Sequence, residues 1–197
     1  MSNIDRKIPK NLENPVDNII IFEGRKLYEI FRTLGFSPNT LTFISLILGI
    51  VSIYLFYIKN YILSSIFYFI SYCFDVLDGN YARTYNMVTK FGDLFDHIKD
   101  LIVNVTFFIV FIKFTTLKNY IIYILITAIL LFLSSVHLGC QEKYVERKDP
   151  KNISGYLKFL GTICNKQNVE NNMKISRYFG CGTFALWVSF LILLHVF

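Results

Sequence analysis

The stretch Asp75-Val-Leu-Asp78-Gly79-Asn-Tyr-Ala82-Arg83, followed after eight residues by Gly92-Asp-Leu-Phe-Asp96-His97-Ile-Lys99-Asp100, decides how this chain is read. On a helix Asp75, Asp78 and Ala82 fall at i, i+3 and i+7 and share one face. Gly92, Asp96 and Asp100 fall at i, i+4 and i+8 and share another. An apolar run, Tyr61–Phe74, leads into the first set, and a second, Leu101–Ile112, leads out of the other. Two antiparallel helices joined by a short loop would therefore aim four carboxylates at one point, at one end of an apolar bundle.

Working outward, further runs read the same way. Leu41–Ile58, Tyr120–Val136 and Tyr178–Phe197 are continuous apolar segments. Each fits the roughly 20 residues that cross about 30 Å of hydrocarbon. Hydrophobic residues make up 54% of the 197, and the mean hydropathy is +0.46, high for a soluble protein. The expected fold class is an all-α integral membrane bundle of five transmembrane helices, at about 40–58, 61–77, 93–114, 119–138 and 178–197. A sixth arises only if 153–165 is re-entrant, or if the chain is cut short. Residues 1–14 read as a polar, mobile tail, and 15–197 as a single membrane-embedded domain. Lys59-Asn60 and Lys118-Asn119 are very short turns that make their flanking spans antiparallel neighbours. Pro38, after Gly35, suits an early helical position.

From Pro15 to Leu34 apolar and charged residues interleave, Ile19, Phe22, Leu27 and Ile30 against Glu23, Arg25, Lys26 and Arg32. This reads as an amphipathic helix in the headgroup region, with a soluble cap as the alternative. The N-terminal 38 residues are too polar for a secretory signal. The formal charge of +6 is concentrated before Pro38, in the 79–92 loop and in 139–177. Cytoplasmic loops are enriched in Lys and Arg, which puts the N-terminus and the acidic site on the cytosolic side of a multi-pass protein. The membrane would be the endoplasmic reticulum in a eukaryote and the plasma membrane in a prokaryote. Anionic headgroups explain these basic residues better than nucleic acid, which is not expected as a partner. Lys143, Arg147, Lys148 and Lys151 could bind headgroups or a phosphorylated acceptor, or form a solvated loop. Cys73, Cys140, Cys164 and Cys181 lack metal-ligand spacing and read as packing residues, not a disulfide framework. His137 and His195 read as core or interface residues, and Asp93 as a solvated acid.

Carboxylates that converge at a membrane edge repel one another and are costly to desolvate, so acids at this depth signal function. Divalent metal resolves the repulsion, and all-oxygen ligation favours Mg²⁺ or Mn²⁺. Two ions would balance the four acids. Arg83 could add a bidentate contact to a phosphate, and Gly79 and Ala82 are small where a nucleotide would approach the helix. The plain alternative is a set of solvated helix ends beside Arg83, Lys90 and Lys99.

The pattern D-x2-D-G-x2-A-R-x8-G-x3-D-x3-D in 75–100 resembles the signature of the CDP-alcohol phosphotransferases, with every specified position met. Pro38-Asn39-Thr40-Leu41-Thr42 is similar to the P-N-x-x-T opening of that family's first span. The resemblance implies a membrane enzyme of phospholipid biosynthesis that moves a substituted phosphate from a CDP-linked donor to an alcohol and releases CMP. It implies Asp75, Asp78, Asp96 and Asp100 as ligands of two metal ions, with Asp100 also a candidate general base. Gly79, Ala82, Arg83 and Gly92 would hold the CDP moiety, with Asn39 and Thr42 near the cytidine. Gly92–His97 also looks like the G-E-L-F-D-H stretch of the choline/ethanolamine phosphotransferases, which makes His97 a second candidate for the base. The acceptor is then either diacylglycerol, with a CDP-choline or CDP-ethanolamine donor, or a small polar alcohol, with CDP-diacylglycerol. A homodimer is a family expectation. The competing readings are an aspartate-rich, Mg²⁺-dependent prenyl transferase and a non-enzymatic transporter or scaffold.

Overall fold

A computed structural model of the chain describes residues 6–118, 120–148, 158–164 and 168–196. Among them the secondary structure is helical throughout. Helix α1 (Pro15–Gly24) and α2 (Tyr28–Thr33) flank a 3₁₀ turn at Arg25–Leu27. The long helices follow: α3 (Pro38–Tyr57), α4 (Tyr61–Thr84), α5 (Lys90–Phe114) and α6 (Tyr120–Lys148). After a 3₁₀ segment at Lys158–Ile163 come α7 (Val169–Ser176), a 3₁₀ turn at Arg177–Phe179 and α8 (Cys181–Leu193).

Among the described residues, four segments are long and apolar enough to cross a membrane: Pro38–Tyr57, Tyr61–Thr84, Tyr120–Lys148 and Val169–Val196. The expected third span is present as α5, 25 residues long, but it is not among the four. Lys90, Asp93, Asp96, Lys99 and Asp100 crowd its first turns. The protein is an integral membrane helical bundle all the same.

The helix starts follow local chemistry. Ser37 and Thr40 form a capping box before α3, with Pro38 in the first turn. Asn14 caps α1 and Asn60 caps α4 through their side chains. Lys59 turns the chain between α3 and α4 at φ 63°. Once inserted, helices gain little from the hydrophobic effect, and small side chains and interhelical hydrogen bonds hold them together. The α3–α4 seam is built that way. Ser45 and Ser71 donate to each other's carbonyls at 2.8 and 2.7 Å, and Ser52 and Ser64 do so at 2.8 Å each. Gly49 makes room for α5: a Cβ there would lie 2.9 Å from both Val103 methyls. Ser65 donates to the Ser189 carbonyl at 2.8 Å and ties α4 to α8. At the far end Phe56, Phe107 and Phe111 pack with Val188, Leu191 and Ile192.

Three sequence expectations change. Residues 6–14 are not a loose tail, because Ile8 and Leu12 are buried against Tyr144, Val145, Val169 and Met173. Residues 1–5 lie outside the described part. Cys140 and Cys164 form a disulfide rather than separate packing contacts. Gly139 lets the 3₁₀ segment press its Leu160 carbonyl onto α6, which brings the two sulfurs together across 24 residues of sequence. Third, the basic region at 139–177, for which a solvated loop was one reading, is partly ordered as the last turns of α6 and as α7. The 153–165 segment is described only over 158–164, where Lys158–Ile163 is a 3₁₀ helix. Cys73 and Cys181 are free.

The amphipathic N-terminal helix is present but broken at Arg25–Leu27. Ile19, Phe22, Leu27, Ile30 and Leu34 stand exposed, while Tyr28 and Phe31 pack on Tyr81. Tyr28 Oη also donates to Asn80 Oδ1 at 2.8 Å. These contacts fasten α2 to the last turns of α4.

Candidate active site

The last turns of α4 carry Asp75, Asp78, Gly79 and Arg83. Asn86, at φ 57°, turns the chain, and Thr89 caps α5 by accepting from Gly92 N–H at 3.0 Å. The chain then descends through Asp96 and Asp100. Short loop and antiparallel helices bring together three of the four acids expected to converge: carboxylate oxygens of Asp75, Asp78 and Asp96 lie within 4.8 Å of one another, and Asp100 is not in that group.

The surroundings set how each acid is held. Asp78 is buried, and Thr42 Oγ1 donates to its Oδ2 at 2.5 Å. Asp96 Oδ1 is buried without a hydrogen bond. Lys99 lies among the acids with its side chain 3% exposed. Its Nζ contacts Asp75 Oδ1, lies 2.8 Å from Asp100 Oδ1 and 3.4 Å from Asp96 Oδ1. The Asp100 side chain is 47% exposed, open to whatever enters.

The remaining expected residues gather nearby. The Arg83 guanidinium lies over Gly79, where a Cβ would stand 3.3 Å from Nη2, and Arg83 Nε is buried without a hydrogen bond. Asn39 Oδ1 would be 3.0 Å from a Cβ on Gly92, so α3 meets the start of α5 there. Ala82 is buried within α4. His97 Nε2 faces back along its own helix, 3.6 Å from Asp93 Oδ1. Asp93 is thus His97's neighbour rather than only a solvated acid.

Away from the acids, Lys143 pairs with Glu146 at 2.5 Å and Lys148 lies over the Tyr144 ring at 4.5 Å. Lys151 is outside the described residues. His137 is buried and bonds to Ser176 Oγ and Gln141 Nε2 at 3.0 Å each. His195 meets Thr115 Oγ1 at 2.9 Å. Both are packing residues, as expected.

Sequence reasoning passed over Lys99, naming it only as a charge beside the acids in the alternative of solvated helix ends. The signal was available: Lys99, Val103, Phe107 and Phe111 recur at four-residue spacing and form the buried face of α5. It also passed over the polar lock that fixes the N-terminal segment. Glu13 accepts from Gln141 Nε2 at 3.3 Å, and Asn14 Nδ2 donates to the Arg177 carbonyl at 2.6 Å and to Thr183 Oγ1 at 2.9 Å. Lys7 pairs with buried Glu142. These partners are remote in sequence and carry no motif.

The donor set suits a hard divalent cation, with three convergent carboxylates of which two buried oxygens, Asp75 Oδ1 and Asp96 Oδ1, lie beside Lys99 without a well-formed hydrogen bond. A membrane bundle in which two neighbouring helices bring aspartates together beside an arginine is the class that fold and site define. The family model for CDP-alcohol phosphatidyltransferases matches residues 36–195, and the chain belongs to that family. It is similar to an archaetidylinositol phosphate synthase of Pyrococcus horikoshii, 34% identical over 48% of this chain and 46% of that protein. It is also similar to CDP-diacylglycerol–glycerol-3-phosphate 3-phosphatidyltransferases of Rickettsia typhi and Rickettsia prowazekii. Each is 41% identical over 32% of this chain and 37% or 36% of the relative. The matched region thus spans less than half of each of these relatives. No solved structure matches the chain.

Proposed function

We propose that the protein transfers a phosphatidyl-type group from a CDP-linked lipid to the hydroxyl of a small polar alcohol, with CMP as the leaving group. The observation that carries this reading is the convergence of Asp75, Asp78 and Asp96 beside Arg83. The relatives' names favour CDP-diacylglycerol as donor and a phosphorylated polyol as acceptor, over a CDP-choline or CDP-ethanolamine donor with diacylglycerol. The Lys and Arg distribution supports a cytosolic site.

Asp75, Asp78 and Asp96 would hold Mg²⁺ or Mn²⁺, with Asp100 beside them; four carboxylates have the charge for two such ions. The bound metal would neutralise charge on the pyrophosphate and on the departing CMP. The Arg83 fork, with an unused Nε–H, would hold a phosphate oxygen in two-point contact. Gly79 keeps side-chain bulk away from that fork, and Gly92 and Asn39 would border the nucleotide. Thr42, placed by the helix cap at Ser37, would act on the site through Asp78. The acceptor hydroxyl would lose its proton to Asp100, which combines exposure with a place beside Asp96. His97 is the less favoured base because its contact is with Asp93.

Purified protein in lipid nanodiscs with CDP-diacylglycerol and glycerol 3-phosphate or inositol phosphate should release CMP only when Mg²⁺ or Mn²⁺ is present. CDP-choline with diacylglycerol is the control pairing. Labelled lipid from that pairing alone would transfer the assignment to the other branch. Ion flux without CMP from any donor would favour a transporter.

A further inference from the structure

Lys99 occupies a position between Asp96 and Asp100 that the D-x3-D pattern leaves open. A lysine on the core seam of a helix must meet anions, because an unpaired buried ammonium is costly. This one meets three: Asp75, Asp96 and Asp100. The four acids therefore divide into two overlapping triplets that share Asp75 and Asp96. In one, Asp75, Asp78 and Asp96 face one another within 4.8 Å. In the other, Asp75, Asp96 and Asp100 surround the Lys99 ammonium.

We propose that the site takes a single divalent cation, on Asp75, Asp78 and Asp96, and that the Lys99 ammonium stands where a second ion would have to sit. The inference rests on the metal-dependent reading above and refines it. A second ion bridged to the first would lie about 3.5–4 Å from it and, for Mg²⁺, about 2.0–2.1 Å from its own oxygens. Lys99 already contacts one oxygen of each of the acids that would flank it, Asp75, Asp96 and Asp100, so ion and ammonium compete for one volume and repel each other. The balance of charge also closes with a single ion. The ammonium, one divalent cation and the Arg83 guanidinium together match four carboxylates. Asp78 is the acid that Lys99 does not contact, and it is held instead by the neutral Thr42 hydroxyl, which leaves its charge for the ion.

The test counts ions rather than turnover. Purified protein in detergent, without donor, is titrated with MnCl₂ and bound Mn²⁺ is counted by electron paramagnetic resonance and calorimetry. The wild type should bind one Mn²⁺ per chain, Lys99→Met two, and Lys99→Arg one. Asp78→Asn should lose the ion, while Asp100→Asn should keep it. Those last two variants decide the matter even if Lys99→Met fails to elute as a folded species. Two ions in the wild type, one in folded Lys99→Met, or loss of the ion in Asp100→Asn overturns the inference and leaves a metal-dependent transferase standing. A wild type that binds none overturns that reading as well.

Discussion

Thr42 shows how one hydroxyl on a neighbouring helix can set a metal ligand. Its bond to Asp78 Oδ2 fixes the direction of a buried carboxylate, and partners of this kind tune metal affinity through the ligand they orient. Thr42→Val should weaken Mn²⁺ binding and CMP release by roughly 10–100-fold without lowering the unfolding temperature, and Thr42→Ser should restore most of it. Unchanged Mn²⁺ affinity in Thr42→Val would remove Thr42 from the site. The choice of base is also decided by single residues. Asp100→Asn should lower kcat by about 10²–10⁴-fold, whereas His97→Ala should cost about tenfold or less. The reverse order would assign the proton to His97. At this scale the sequence was most legible for the acids, whose helical spacing announces a shared face. It was least legible for Lys99, where a buried charge looks like any other helix-end lysine until the partner helix is in place.

Among the elements, α3, α4 and α5 form the frame, and their mutual closeness places the two halves of the acidic motif within reach. Gly49 is where α3 and α5 approach closely, with Val103 directly over it. Gly49→Ala should cost about 1–3 kcal/mol through overpacking, seen as a lower unfolding temperature in detergent with the disulfide left intact. An unchanged transition would mean that Val103 moves aside without loss. Apolar runs, the Pro38 start and the Lys59-Asn60 turn were readable because each depends on local chemistry. The break at Arg25–Leu27 and the extension of α6 to Lys148 were not. Both occur where tertiary contacts, Tyr28 on Tyr81 and Tyr144 in the N-terminal core, outweigh a mixed local pattern.

Across the whole molecule, the N-terminal segment and α1 lie against α4, α6 and α8 through buried polar groups. Tyr72 Oη donates to Asp17 Oδ1 at 2.6 Å. Burial, aided by the charge of Glu13, lifts the Asp17 carboxyl from 3.8 to about 7, although the Tyr72 bond opposes the shift. Burial raises Glu13 as well. A carboxyl whose folded pKa is raised holds its proton more tightly when folded. Its contribution is therefore full below about pH 4 and is lost as pH climbs through about 7. Unfolding temperatures of the wild type should fall across that window, and Asp17→Asn should flatten the decline in part, with Glu13 supplying the remainder. An identical slope in both proteins would show that Asp17 does not carry the effect.

The sequence by itself determined that this chain is a helical membrane protein with convergent aspartates and the pattern of its family, since hydrophobic length and helical periodicity are local and additive. Tertiary structure alone decided the rest. It put the Lys99 ammonium among three carboxylates, joined Cys140 to Cys164, and locked residues 6–14 onto α6 and α8. Such pairings depend on which distant side chains share a low-dielectric interior, where an unmatched charge or polar atom must find a partner.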